Sequence, residues 1–388
     1  MKRISTVLGV DDLSLTIEIN MINKDWGSLT KVAKHILSVV CILLCALIMS
    51  NCQSSHGGNN AHFQEQREQS DDSISYTNLL NNKSETQSSM VNGQWSTVNG
   101  QSSTDNSRLT IIFTGDVLLD RGVRPYAERN GVQSLFAGVD SVFRQADAVV
   151  INLECPLTDV AMPINKHYIF RADTRWAEDL KAAGVTHAAL ANNHTNDQGR
   201  QGLLSTFSHL KDVGIEPLGF GYTRKERLQP VVIHQSGVEV ALFNSVTVPL
   251  ENWYDLEDRP GICQANVSVL SETIGTYRAS HPEAKIIAVL HWGAEFQTTP
   301  SMQQRIDAQT IISAGADAII GHHPHVVQPL RYVDGKPVFY SLGNFVFDQT
   351  PPIANQAIMA QLTIQGDSIL VSSIPVQIKQ CRPIVSPL

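Results

Sequence analysis

The chain has 388 residues, room for one large domain or two ordinary ones, and 42% of them are hydrophobic. Its formal net charge of -8 excludes a general electrostatic grip on nucleic acid. An acidic chain still holds an anionic substrate where a local positive centre, such as a metal pair, supplies the attraction.

The first feature in chain order is a nearly unbroken apolar run, Ile36 to Met49, preceded by Lys24, Lys31 and Lys34. A membrane-spanning helix needs about 20 apolar residues, so this run is short for a span and fits the apolar core of a secretory signal. Met21 makes a more usual start for such a signal than Met1. The run closes on Met49-Ser50-Asn51-Cys52. That ending resembles a bacterial lipoprotein signal with Cys52 lipidated, although Asn51 stands where Gly, Ala or Ser is usual. An uncleaved anchor and plain secretion are the other two readings. Residues 1–52 are therefore expected to be a signal cleaved near Cys52, leaving the protein extracytoplasmic and anchored to the bacterial membrane.

Residues 53–107 are rich in Ser, Asn and Gln and poor in large apolar side chains. They bury too little to offset the entropy of ordering, so the expectation is a disordered tether with a root-mean-square span on the order of 40 Å. The folded part is expected over residues 108–388. There Leu109–Phe113, Ala148–Asn152, Val185–Ala191, Val238–Asn244, Lys285–Leu290 and Ala318–Ile320 read as strands. Ser134–Gln145, Arg175–Ala183, Arg200–Val213, Gln264–Ser280 and Met302–Ala314 read as helices between them. Val326–Tyr332, Pro337–Ser341, Ala357–Ile364 and Ile369–Ile378 read as antiparallel strands, with turns at Asp334-Gly335 and Gly366-Asp367. The pattern predicts an α/β fold in one mixed domain, its sheet covered by helices. Only Cys155, Cys263 and Cys381 fall in this part, with no zinc-finger spacing.

Five of the strands run directly into polar residues. The endings are Thr114-Gly115-Asp116, Leu153-Glu154-Cys155-Pro156, Asn192-Asn193-His194-Thr195-Asn196-Asp197, His291-Trp292-Gly293-Ala294-Glu295 and Gly321-His322-His323-Pro324-His325. Ligands of open α/β sheets bind outside the carboxyl ends of the strands. Carboxylate, amide and imidazole groups gathered there suit zinc, manganese or iron better than calcium or magnesium. Two such cations need a bridging carboxylate between them, and a nearby non-ligand histidine can protonate a leaving group.

These motifs, with Tyr340-Ser341-Leu342-Gly343-Asn344-Phe345-Val346-Phe347-Asp348 after them, occur in the order found in the CapA, or poly-γ-glutamate capsule synthesis, family, which they resemble. The resemblance implies a calcineurin-like metallophosphoesterase fold, a mixed β-sheet sandwich in four αββα layers. It implies two divalent metal ions held by Asp116, Glu154, Asn193, His291, His323 and His325, with Glu154 as the bridge. His194 would be the acid or transition-state donor, and Asp197 is grouped with it as catalytic. The family's phosphoesterase relatives carry a His two residues after the first Asp, where this chain has Leu118. His322 or Glu295 is the expected substitute for that ligand. His322, Glu295, Asn344 and Arg171 are the candidates for substrate contact. Lys166 and His167, in the same loop as Arg171, could meet an anion, while His187 reads as structural and His209, His234 and His281 as solvated.

The resulting expectation is a metal-dependent protein of capsule or exopolymer biogenesis. It would hydrolyse or transfer a phosphoester or a polymer amide, with an anionic polymer or phosphoester as substrate and a capsule ligase or export complex as partner. A non-catalytic polymer-binding or export factor and a general extracellular phosphatase or nucleotidase are the alternatives.

Overall fold

The computed structural model describes residues 3–10, 13–20 and 108–385. The expected signal lies outside them except for β1 (Arg3–Val10) and β2 (Leu13–Asn20), an antiparallel pair. Cys52 and the expected tether lie outside them entirely. Among the described residues no helix is long and apolar enough to cross a membrane.

The remaining strands, in chain order, are β3 (Arg108–Val117), β4 (Ala148–Leu153), β5 (His187–Ala189), β6 (Glu216–Leu218), β7 (Phe220–Gly221), β8 (Val231–Gln235), β9 (Val238–Val246) and β10 (Gly261–Ile262). They continue with β11 (Lys285–His291), β12 (Ala318–His322), β13 (Val327–Val333), β14 (Lys336–Leu342), β15 (Asn344–Val346), β16 (Gln356–Gln365), β17 (Ser368–Lys379) and β18 (Arg382–Val385). One sheet runs β18-β17-β16-β3-β4-β5-β6, with β15 also paired to β3. The other runs β13-β14-β12-β11-β9-β8.

Alternation along each strand builds the sandwich. Leu109, Ile111 and Phe113 of β3 pack in one cluster with Val240 and Leu242 of β9, Ile287 and Val289 of β11, and Leu362 of β16, so the inner faces of both sheets share a core. Ile112, Val149, Ala288 and Ile319 point the other way and pack with helix residues such as Trp176, Leu203, Ile274 and Ile311. The layers are therefore helix, sheet, sheet, helix.

The helices start where the chain supplies caps. Asn266 accepts the N–H of Val269 at the start of Val267–Ser280, and Ser301 and Gln304 form a reciprocal capping box before Met302–Ser313. The single helix expected over Ser134–Gln145 is instead a 3-10 turn, Val132–Phe136, and a short helix, Asp140–Phe143. The break falls at Gly138, where any Cβ would sit 2.5 Å from the carbonyl of Pro383. The predicted turns close two hairpins, and Asp334 and Gly335 both have positive φ, as the primed turn requires.

The strands that feed the candidate site are parallel, β3-β4-β5 in one sheet and β9-β11-β12-β14 in the other. Their carboxyl ends consequently lie at one edge of the sandwich. There β15 crosses to pair Asn344 with Asp116. That approach depends on Gly115, where a Cβ would stand 2.0 Å from the carbonyl of Gly343.

Candidate metal centre

Asp116 lies near the end of β3, and Glu154 comes directly after β4; both are fully buried. The Asn152 amide donates to Asp116 Oδ1 at 2.8 Å. Asp116 Oδ2 then lies 3.1 Å from Nδ1 of His325. Glu154 is in a different state, because neither of its carboxylate oxygens has a hydrogen-bond partner. Its Oε1 is 3.7 Å from Nε2 of His291 and 3.8 Å from Nε2 of His325. Burial, reinforced by the charge of Asp116, raises the Glu154 carboxyl well above its ordinary range. A buried carboxylate with no donor is costly unless a cation meets it.

The ligand-type atoms around Glu154 fall into two groups that share it. Asp116, Glu154 and His325 make one, and Glu154, His291 and His323 make the other, with all ligand atoms of each group within 4.8 Å of one another. Asn193 Oδ1 joins the second group, 2.9 Å from Nε2 of His291, which is itself 3.1 Å from Nδ1 of His323. The donor set fits divalent cations, with Glu154 standing between the two groups where it would serve both, and mixed oxygen and nitrogen donors suit manganese, zinc or iron. A third group, Glu295, His323 and His325, brings the exposed Glu295 beside the first. Glu295 thus stands at the open side of the first group, while Leu118, in the place of a histidine ligand, is buried in the core.

Backbone geometry aims the histidines. His323 and His325 both have positive φ, 94° and 57°, a conformation that non-glycine residues adopt at a cost. Asn344 Oδ1, 3.0 Å from Nδ1 of His325, accepts its proton and leaves Nε2 directed at Glu154. The amide of Asn344 is fixed in turn by Gln349 and the carbonyl of Ala354. Asn344 thus acts through His325. His322 is buried in β12, and its Nε2–H donates to the carbonyl of Thr114 at 2.9 Å, so it braces β3 and belongs to none of the ligand groups.

His194 lies beside the centre, and its Nδ1–H donates to Asp197 Oδ2 at 2.8 Å. Asp197 is fully buried and also accepts from the Phe170 N–H at 2.8 Å and from Nζ of Lys166 at 2.8 Å. Lys166 reaches the Asn193 carbonyl as well. The loop after Glu154 is therefore clasped to the metal motif through a buried ammonium, a role its sequence does not announce. Burial pulls His194 down to about 4, so its imidazole is neutral at pH 7 and its Nε2 is free for chemistry. His194, His325 and Glu295 line a cleft of about 370 Å³ together with Arg121, Tyr168 and Asp348. Arg171 does not line it: its N–H donates to Asp120 Oδ2, and Arg121 is the arginine facing the cleft.

The protonation pattern gives a testable consequence. Burial pushes His325 down, but Glu154 and Asp116 outweigh it and lift the imidazole to about 9. Asp116 is raised by burial, yet the pull of His325, His322 and Asn152 leaves it below its ordinary value. Burial holds His291 well below its ordinary value and His323 at about 3, so both are already neutral. Metal binding would therefore displace a proton from His325 below pH 9, and one from Glu154 wherever its raised carboxyl still holds it, so the apparent affinity should rise with pH up to there. Titrating metal into chelated protein in buffers of different ionisation enthalpy should show proton release. Release absent at pH 7 would contradict this protonation pattern.

Fold and site together define a two-sheet α/β protein with a candidate dimetal centre at the carboxyl ends of its parallel strands. Residues 110–349 match the family model described as "Bacterial capsule synthesis protein PGA_cap", and the chain belongs to that family. It is 31% identical over 244 residues to the PGA biosynthesis protein CapA of Bacillus subtilis (strain 168), covering 62% of this chain and 64% of that one. It is 30% identical over 288 residues to the capsule biosynthesis protein CapA of Bacillus anthracis, covering 72% of this chain and 70% of that one. The aligned region thus spans just under two thirds of the first relative's length. Among solved structures, the NAD nucleotidase of Haemophilus influenzae aligns with a TM-score of 0.44 at 13% identity, over 70% of this chain and 50% of that one.

Proposed function

We propose that this member of the capsule synthesis family is an extracytoplasmic, membrane-anchored, metal-dependent hydrolase or transferase. Its substrate would be a phosphoester or amide in a poly-γ-glutamate-like anionic polymer. The observation that carries the metal dependence is Glu154, buried, with both oxygens bare of donors and set between two groups of ligand-type atoms. Asp116 and His325 would hold one cation, Asn193, His291 and His323 the other, and Glu154 both. When bound, such a pair acidifies water and neutralises charge developing on an oxyanion.

The chain's own residues supply the rest. Asn152 and Asn344 fix the faces that Asp116 and His325 present. Asp197 holds His194 with Nδ1 protonated, leaving a bare Nε2 to accept a proton from the attacking group and pass it on to the leaving group. Phe170, whose ring lies 4.2 Å from that of His194, screens the imidazole from water. A screen of phosphodiesters and polymer amides, with each metal restored to chelated protein, tests this reading. Metal-restored protein that turns over none of them would refute it.

A further inference from the structure

The cleft carries a cation that no motif assigns. Arg121 comes soon after β3 with φ of 48°, a left-handed conformation unusual for arginine. Its guanidinium lies over two aromatic faces, 5.1 Å from the Phe170 centroid and 5.3 Å from that of Phe347. One N–H pairs with Asp348, whose other oxygen accepts the Gly122 N–H at 2.8 Å. Gly122 permits this close approach, because a Cβ there would stand 2.9 Å from Asp348 Oδ2. Among the described residues Arg121 makes no other side-chain hydrogen bond, although a guanidinium has five N–H donors. Its side chain is 34% exposed, on the wall of the cleft that also holds His194 and His325.

This is a prepared cation. Two rings and one carboxylate fix its plane at little entropic cost, and ring contact leaves less water for an incoming anion to displace. We propose that Arg121 reads a carboxylate of the polymer substrate while a neighbouring unit of the same chain lies at the metal centre. The inference rests on the polymer reading above and deepens it, making the cleft selective for chains that carry repeated anions. Asp348, held by Gly122, stays on one edge of the guanidinium while the substrate carboxylate takes the other in the paired geometry that arginine offers.

The test is calorimetric binding of a short γ-linked glutamate oligomer to the full chain in detergent, both metal-loaded and stripped of metal. Arg121→Gln should bind it about tenfold or more weakly, the worth of a charge-assisted pair. Arg121→Lys should fall between, since it keeps the charge and loses the fork. The oligomer with its free carboxyls converted to amides should bind both variants and wild type alike. Wild-type affinity in Arg121→Gln overturns the assignment, as does a loss confined to inorganic phosphate. A fall in the metal content of reloaded Arg121→Gln also overturns it, by making Arg121 a support of the centre. A wild-type chain that binds no oligomer, with or without metal, overturns the polymer reading itself.

Discussion

Glu154→Gln should lose more than about tenfold in metal affinity, because even outer-sphere partners of ligands contribute that much and this residue is placed to touch both cations. The same change should stabilise the protein once metal is removed. With its carboxyl raised well above 4.5, folded Glu154 keeps a proton that the unfolded chain has released. Chelated wild type should therefore lose stability as pH rises from 4.5 through the raised value. An amide has no charge to bury, so Glu154→Gln should lack that loss and lie above chelated wild type at pH 8. A buried charge without its partner costs on the order of 3–5 kcal/mol, which sets the scale of the gap. Denaturant midpoints of the two chelated proteins across pH 5–8 check this. Parallel pH curves would remove Glu154 from the centre.

His194→Ala should behave in the opposite way, keeping metal and losing turnover. The imidazole is held by Asp197 and lies outside all three ligand groups, so its removal leaves the cations coordinated. A proton-transfer group contributes about 10²–10⁴-fold in rate, and a loss of that order is expected at unchanged metal content. Metal content and turnover, measured on one preparation, separate the two roles. A metal-loaded His194→Ala protein with full activity would exclude the hydrolytic mechanism.

Much of this was legible in the residues. The β-branched runs are short and close on Asp, Glu, Asn or His, and parallel pairing brings those endings to one edge, so Asp116, Glu154, Asn193, His291, His323 and His325 meet in space. Other features depend on contacts between distant segments. The helical pattern over Ser134–Gln145 is sound locally, but packing of Gly138 on Pro383 breaks it. Lys166 reads as a surface charge able to meet a substrate, yet its ammonium is buried against Asp197, a pairing that only folding of the loop creates. Of the three histidines of one motif, His322 reads as a candidate for substrate contact, but strand register turns it toward Thr114 and leaves His323 and His325 beside Glu154. Arg121 looks like an ordinary turn residue because Phe170, Phe347 and Asp348 come from far along the chain. Its neighbour Gly122 was the available signal, a glycine placed directly after an arginine near a strand end.

A two-cation centre bridged by Glu154 is tested most directly by elemental content. The protein, purified without chelator and then equilibrated with manganese, zinc or ferrous iron, should retain close to two equivalents of one of these metals per chain. Glu154→Gln measured beside it should retain far less. A wild-type chain that holds none of the three metals, or a Glu154→Gln chain that holds as much as wild type, would contradict such a centre.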